Sequence, residues 1–272
     1  MKPNDILNTT IESGVNKANS SFGKLAILGI LAGAYIALAG AGANMAAFNL
    51  LGSAATFGLG KLVSGVIFPI GLMMVMLCGA ELFTGNCLML TSVVDKKIKI
   101  SGMLRNWVIV YIANLIGGVL IAWMVTKGGM LNAGDSMLGA MTVKIAVGKV
   151  NMSFLVCIIM GILCNWLVCL AVWMATGADS TIGKIGSIFF PICLFVVSGF
   201  EHSVANMYYI PAGLFAKANE TFVALSGVSS EALSNLNWGS FFVDNLLPVT
   251  IGNIIGGAVF VGLAYYLAYK KA

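Results

Sequence analysis

Gly199-Phe200-Glu201-His202-Ser203-Val204-Ala205-Asn206 sets the only histidine of a 272-residue chain beside a glutamate, inside a run otherwise apolar enough to cross a membrane. An ionisable side chain at bilayer depth costs roughly 2.5 to 3.5 kcal/mol on insertion scales, so such a group normally faces a water-filled path or a polar partner. The first half of the chain carries an echo. Gly79-Ala80-Glu81-Leu82-Phe83-Thr84-Gly85-Asn86 repeats the Gly-x-Glu-x-x-x-x-Asn frame, with Leu82 at the place of His202. Two matched interruptions predict one site built from two halves.

Composition sets the medium. The chain is 59% hydrophobic and 9% charged, with a mean hydropathy of +0.97, too little polar surface to clothe a soluble globule. An integral membrane protein of one domain, residues 1–272, is expected. The net charge of +5 reports topology in such a chain rather than an acidic partner, so nucleic acid binding is not expected. All six cysteines lie in apolar spans and none forms a C-x-x-C pair, so neither a disulfide framework nor a metal site is indicated, and no cofactor is expected. No removable signal peptide is expected, which leaves the first apolar run as a membrane helix.

Working outward, residues 1–23 place Leu7, Ile11, Val15, Ala18 and Phe22 at steps of three and four, the stripe of an amphipathic helix on the cytoplasmic side. It either caps the fold at the membrane face or forms a lid over a path. The first span runs from Leu25 to Leu51, and its glycines permit close helix packing. Lys61 to Val94 is too long for one straight span of about 20 residues, and it is expected to break at Pro69 or between Glu81 and Asn86. Met103 to Val125 forms the third span and a polar loop with short amphipathic character runs on to Asn151. Ser153 to Ala175 is the fourth, Ile185 to Ala216 is over-long like the second and carries Pro191, and Asn245 to Tyr269 is the last, with Pro248 suited to its first turn. Asn219 fits a glycosylation sequon, a motif frequent by chance.

The halves repeat in order. Gly29-Ile30-Leu31 returns as Gly161-Ile162-Leu163, Phe68-Pro69-Ile70 as Phe190-Pro191-Ile192, and Asn114-Leu115-Ile116-Gly117-Gly118 as Asn253-Ile254-Ile255-Gly256-Gly257. The repeats cover about 24–126 and 152–270. Three spans per repeat is odd, so the second half lies upside down relative to the first, as in many transporters whose path runs between broken helices. The fold class is therefore an all-α membrane protein of six helices in an inverted 3+3 repeat, with the second and fifth broken. With a cytoplasmic N-terminus, ten of the fifteen basic residues lie inside: Lys2, Lys17, Lys24, Lys96, Lys97, Lys99, Arg105, Lys184, Lys270 and Lys271. Lys61, Lys127, Lys144, Lys149 and Lys217 lie outside, and both termini are inside.

A broken helix leaves unpaired N–H groups and a positive dipole end at its internal start, a scaffold that favours an anion. His202 and Thr84 add donors there. Glu81 and Glu201 are expected to accept hydrogen bonds from the loops beside them, and Lys149 is either a solvated loop charge or part of the path. Two pore histidines would be expected of an ammonium channel and two Asn-Pro-Ala boxes of a water or glycerol channel; the chain has neither. No base stands beside a nucleophile in the spans, so enzymatic activity is not expected.

On Gly79 to Thr84, Asn165 with Leu170-Ala171-Val172-Trp173-Met174, Ser198 to Asn206 and Asp244 to Gly257, the chain resembles the formate/nitrite transporter family across all six spans. The resemblance implies an aquaporin-like protomer in a bacterial inner membrane and a homopentamer with one pore per subunit, passing formate, nitrite or hydrosulfide. Overall similarity points to hydrosulfide; a proton-coupled transporter for formate or nitrite is the alternative. Carried over by motif, His202 and Thr84 form the central polar pair, and Leu72, Leu82 and Phe195 the cytoplasmic constriction. Phe68 belongs to the outer constriction, and Lys149 draws anions into the vestibule. Asn206 is expected among the pore and substrate-binding residues, whereas Asn86, Glu81 and Glu201 are expected as structural polar groups at the breaks. A desolvated anion meets a large penalty in such a path whereas its neutral acid does not, and His202 can donate to the anion either a hydrogen bond or, in a cycle where the anion favours the imidazolium, a proton.

Overall fold

The computed structural model describes residues 1–270 and is helical throughout, with no strand among the described residues. Lys271, counted above on the inner face, lies outside the described residues. A surface helix α1 (Pro3–Ala18) precedes six helices long and apolar enough to cross a membrane. These are α2 (Phe22–Leu51), α3 (Phe57–Cys78), α5 (Ile100–Lys127), α7 (Phe154–Gly177), α8 (Thr181–Ser198) and α12 (Trp238–Tyr269). Two shorter helices follow α3 and α8: α4 (Phe83–Val94) and α9 (Ser203–Ala216). Between α5 and α7 lies α6 (Met137–Val150), and α10 (Glu220–Ser226) and α11 (Ser230–Ser234) join α9 to α12.

Both over-long runs are interrupted at the glutamates. Gly79 (φ +77°) ends α3 and Gly199 (φ +73°) ends α8, each in the left-handed conformation that glycine adopts without a Cβ penalty. The chain then runs extended through Leu82 (φ −110°, ψ 123°) and His202 (φ −111°, ψ 115°) before the short helices begin. The prolines do not end the spans: regular helix pauses for Phe68 and Pro69, with Pro69 at helical angles (φ −54°, ψ −24°), and resumes at Ile70, whereas Pro191 sits inside α8.

Close helix approach is built from glycine. A Cβ at Gly33 would stand 2.1 Å from the carbonyl oxygen of Asn114, and one at Gly117 would stand 2.1 Å from that of Ile30, so α2 and α5 touch backbone to backbone. In the second half Gly252 and Gly256 of α12 face the carbonyls of Ile158 and Ile162 on α7 at 2.2 Å by the same measure.

Three expectations change. Phe22 does not continue the first amphipathic stripe. Ser21 is extended and caps α2, so Phe22 opens that helix and is 65% exposed, while Leu7 and Ile11 of α1 pack on Trp173 at the end of α7. The stretch read as a polar loop with short amphipathic character before Asn151 contains a full helix, α6, whose Leu138, Val143, Ala146 and Val150 are buried; Lys144 and Lys149 had given it a polar cast. Finally, α12 starts seven residues before Asn245, which puts Pro248 in its interior. The wider π-type turns of Phe241–Leu246 precede it, the kind of local rewinding by which a helix absorbs an insertion or a missing N–H donor.

Gly117→Ala tests the packing. The obstacle is backbone and cannot rotate away, so the substitution should cost about 1–3 kcal/mol, lowering the melting temperature in detergent by about 2–10 °C. An unchanged melting temperature would mean that α2 and α5 are not in contact there.

Candidate functional site

Each break is held by the same set of hydrogen bonds. In the first half Asn114 of α5 donates to the carbonyls of Gly29 (2.8 Å) and Glu81 (2.9 Å) and accepts the N–H of Phe83 (3.0 Å). In the second half Asn253 of α12 donates to the carbonyls of Gly161 (2.8 Å) and Glu201 (2.9 Å) and accepts the N–H of Ser203 (2.9 Å). The glutamate N–H groups complete the clamps, Glu81 donating to Leu28 (3.1 Å) and Glu201 to Met160 (3.2 Å). The free N–H groups expected at the internal helix starts are thus partly capped: Phe83 and Ser203 by asparagine, and Ala205 by His202 Nδ1 at 3.0 Å.

The carboxylates are matched in the same way. Glu201 takes the Lys149 ammonium on Oε1 at 2.7 Å and the Asn206 amide on Oε2 at 2.7 Å; Asn206 also donates to Asn245, and Asn245 to the Lys149 carbonyl. Glu81 takes Lys17 Nζ on both oxygens at 2.8 Å and the Asn86 amide on Oε2 at 2.8 Å; Asn86 also donates to Asn106, and Asn106 to the Lys17 carbonyl. The bonds expected from the loops come instead from the amides of Asn86 on α4 and Asn206 on α9, just past each break. The lysines add what the loops lack, a compensating charge.

Two vestibules open toward these pairs. One, of about 370 Å³, is bordered by Asn44, Lys61, Lys144, Lys149 and Glu201 and reaches inward to Phe68, Phe195 and His202. The other, of about 230 Å³, is bordered by Lys17, Glu81 and Asn86 and reaches Leu72 and Leu82. Between them is a neck of about 10 Å³ lined by Ile36, Phe68, Leu72, Leu82, Val168, Ile192, Phe195 and His202. That is room for about one water molecule. Phe195 keeps company with Phe68, edge to face at 5.6 Å between ring centroids, on the Lys149 side. The resemblance had grouped it with Leu72 and Leu82. Its place four residues before Gly199 on α8, which packs on α3, sets it against the ring at Phe68.

His202 and Thr84, 118 positions apart, meet with Nε2 and Oγ1 at 2.9 Å, the imidazole 3% exposed and the threonine fully buried. His202 borders the neck; Thr84 stands behind it, its carbonyl taking bonds from Asn165 (3.2 Å) and Cys169 (3.3 Å). Because Nδ1 accepts the Ala205 N–H, it carries no proton, and the neutral ring is assigned as the Nε2–H tautomer that donates to Thr84. An imidazolium would need a proton at Nδ1, where that backbone donor already points. Proton donation by the ring, one of the two roles the sequence leaves open, would require that cap to open.

Sequence reasoning missed Lys17, Asn106, Asn245 and the depth of Asn114 and Asn253. The repeated Asn-x-x-Gly-Gly motif did carry Asn114 and Asn253 in matching places, a usable signal. Lys17 gave none, since a lysine on an amphipathic helix is ordinarily solvated. Among the described residues no group of three or more His, Cys, Asp and Glu side chains converges to hold a metal.

The family model described as "Formate/nitrite transporter" matches residues 4–267. A "Probable formate transporter" of Methanothermobacter thermautotrophicus is 42% identical over 94% of this chain and 92% of its own length. "Formate channel FocA" of Escherichia coli (strain K12) is 37% identical over 96% of this chain and 91% of its own. Among solved structures, one titled "Pentameric formate channel with formate bound" superposes with a TM-score of 0.78 at 36% identity, covering 92% of this chain and 98% of that one. Another, titled "FNT family ion channel", gives 0.79 at 32% identity, covering 97% and 98%. With six apolar helices and a match over nearly its whole length, the chain is a multi-pass membrane protein and belongs to the formate/nitrite transporter family.

Proposed function

We propose that this chain forms a pore for small monovalent anions of weak acids, with formate as its first substrate. The observation that carries the reading is the neck: two vestibules with lysines at their mouths are separated by an apolar constriction whose one polar group is an imidazole donor. The names of the relatives favour formate over the hydrosulfide suggested by overall similarity; nitrite and hydrosulfide fit the same chemistry and are the comparison substrates. The odd number of spans per half, with matched clamps in both, supports an inverted repeat; the excess of Lys and Arg on the side of the termini supports a cytoplasmic placement of both, and the bacterial relatives a bacterial inner membrane. Likeness to a structure titled pentameric supports a homopentamer with a pore in each subunit.

Lys61 and Lys144, beside the Lys149–Glu201 pair, concentrate anions in the larger vestibule, whereas Lys17 on the other side is neutralised by Glu81. At the neck a hydrated ion loses its water among Phe and Leu side chains, a penalty that the Nε2–H of His202 offsets by donating a hydrogen bond, with the Thr84 hydroxyl as the donor's resting partner. The neutral acid meets a far smaller barrier, so flux rises as the solution supplies protons. With Nδ1 committed to the Ala205 N–H, His202 acts in this reading as a neutral donor, which favours a channel over a proton-coupled transporter.

Formate flux into liposomes carrying the reconstituted protein tests this. His202→Phe should lower flux at neutral pH by about tenfold or more, since a hydrogen bond to a charged group is worth about 1.5–3 kcal/mol. His202→Gln, which keeps an N–H donor, should retain most of the flux with an unchanged pH profile; a flattened profile would restore proton transfer by the ring. Lys149→Met leaves the buried Glu201 carboxylate without its ammonium, so flux should fall about tenfold at low ionic strength and less in high salt. Adding Glu201→Gln should recover most of it. Leu82→Val widens the neck, and faster flux or weaker discrimination among formate, nitrite and hydrosulfide is expected; neither effect would place the constriction elsewhere.

A further inference from the structure

The Lys149-side vestibule contains two donors that the account above does not use. Asn44, on α2, borders it and is 5% exposed, and its Nδ2 is the one buried side-chain nitrogen among the described residues with no acceptor. A buried N–H donor left without an acceptor is a standing cost that native structures ordinarily remove with a partner, a water or a ligand. Lys61, on α3, borders the same space and is only partly exposed. Among the described residues it takes part in none of the ion pairs, and its ammonium lies 6.0 Å from the Phe57 ring centroid. It also reaches within 3.2 Å of where a side chain at Gly199 would begin, so its charge lies against the second break. Lys149, by contrast, already has Glu201 at 2.7 Å.

Lys61, Ser64 and Phe68 follow one another at steps of three and four, so one face of α3 leads from the ammonium past a hydroxyl to the neck. Every uncommitted group along this line can donate. The one carboxylate on the vestibule wall, Glu201, is held by Lys149 and Asn206. A cation would find no free anionic partner there, and a neutral molecule would leave the ammonium without a counter-charge. A small anion with two acceptor oxygens offers each of these donors a partner within the one vestibule they border.

We propose that Asn44 and Lys61 form a subsite that holds one small oxyanion, such as a one-carbon carboxylate, in the Lys149-side vestibule before it meets His202. The subsite rests on the reading of the chain as an anion pore and deepens it: entry becomes a binding step with its own affinity, set by residues outside the His202–Thr84 pair and the Lys149–Glu201 pair.

Two measurements on the full-length protein test it, both at constant ionic strength. One is line broadening of ¹³C-formate on titration with detergent-solubilised protein; the other is initial formate flux into liposomes against formate concentration. Asn44→Ala and Lys61→Met should each raise the half-saturating concentration about tenfold or more, as expected for loss of one charge-assisted contact, and each should reduce the broadening. The double variant should lose less than the product of the two, because both act on one ion. Asn44→Leu, closer in volume, provides a second variant should the alanine protein fail to reconstitute. Broadening lost in the variants supports the subsite even if wild-type flux is absent, a result that would overturn the pore reading alone. If wild-type protein conducts formate while the Asn44 variants match it within about twofold in both measurements, the amide is merely hydrated and the subsite is overturned.

Discussion

A polypeptide that stops being helical inside a bilayer exposes N–H and C=O groups where no water can satisfy them, and the rest of this structure follows from how that cost is met. Asn114 and Asn253 each bind two carbonyls and one N–H across a break, using the full reach of one amide side chain. Their position depends on α2 meeting α5 and α7 meeting α12 closely enough for the side chain to span from one helix to the break in another. Glycine at the crossings is what allows that distance. The clamps and the helix packing are therefore one device, present twice.

Holding the breaks fixes where the charges stand. Glu81 and Glu201 follow the left-handed glycines by two residues, so their carboxylates point to opposite vestibules, and each is compensated by a lysine from a helix preceding its own repeat: Lys17 on α1 and Lys149 on α6. The surface helix and the helix between the halves are thereby counterparts. The pairs leave Leu82 and His202 at equivalent extended positions, and the difference between those two side chains makes a symmetric frame asymmetric at its centre.

At the neck the physical conflict is between an ion's hydration and a wall of Phe and Leu. The fold places a single imidazole there and commits one of its nitrogens to cap α9, so the ring has one direction left in which to donate. In the proposed reading a permeant anion is met by a fixed donor rather than by a mobile charge, and selectivity rests on the geometry of the apolar ring and on what the vestibules deliver to it.

Much of this was legible in the sequence. Hydropathy gave six spans because lipid demands runs of about 20 apolar residues, and the two Gly-x-Glu frames located the breaks because a charge and a helix-ending glycine rarely recur in register by chance. The motifs also singled out His202, Thr84, Glu81, Glu201 and Lys149. What periodicity could not carry was partnership. Lys17 is an ordinary surface lysine until α1 docks beside Glu81, α6 reads as a loop until neighbouring helices bury it, and Pro248 looks like a helix start until the turns before it are rewound. The tautomer of His202 and the side of the neck on which Phe195 stands were likewise decided only in three dimensions, because hydrogen bonds and ring contacts join residues that no local pattern relates.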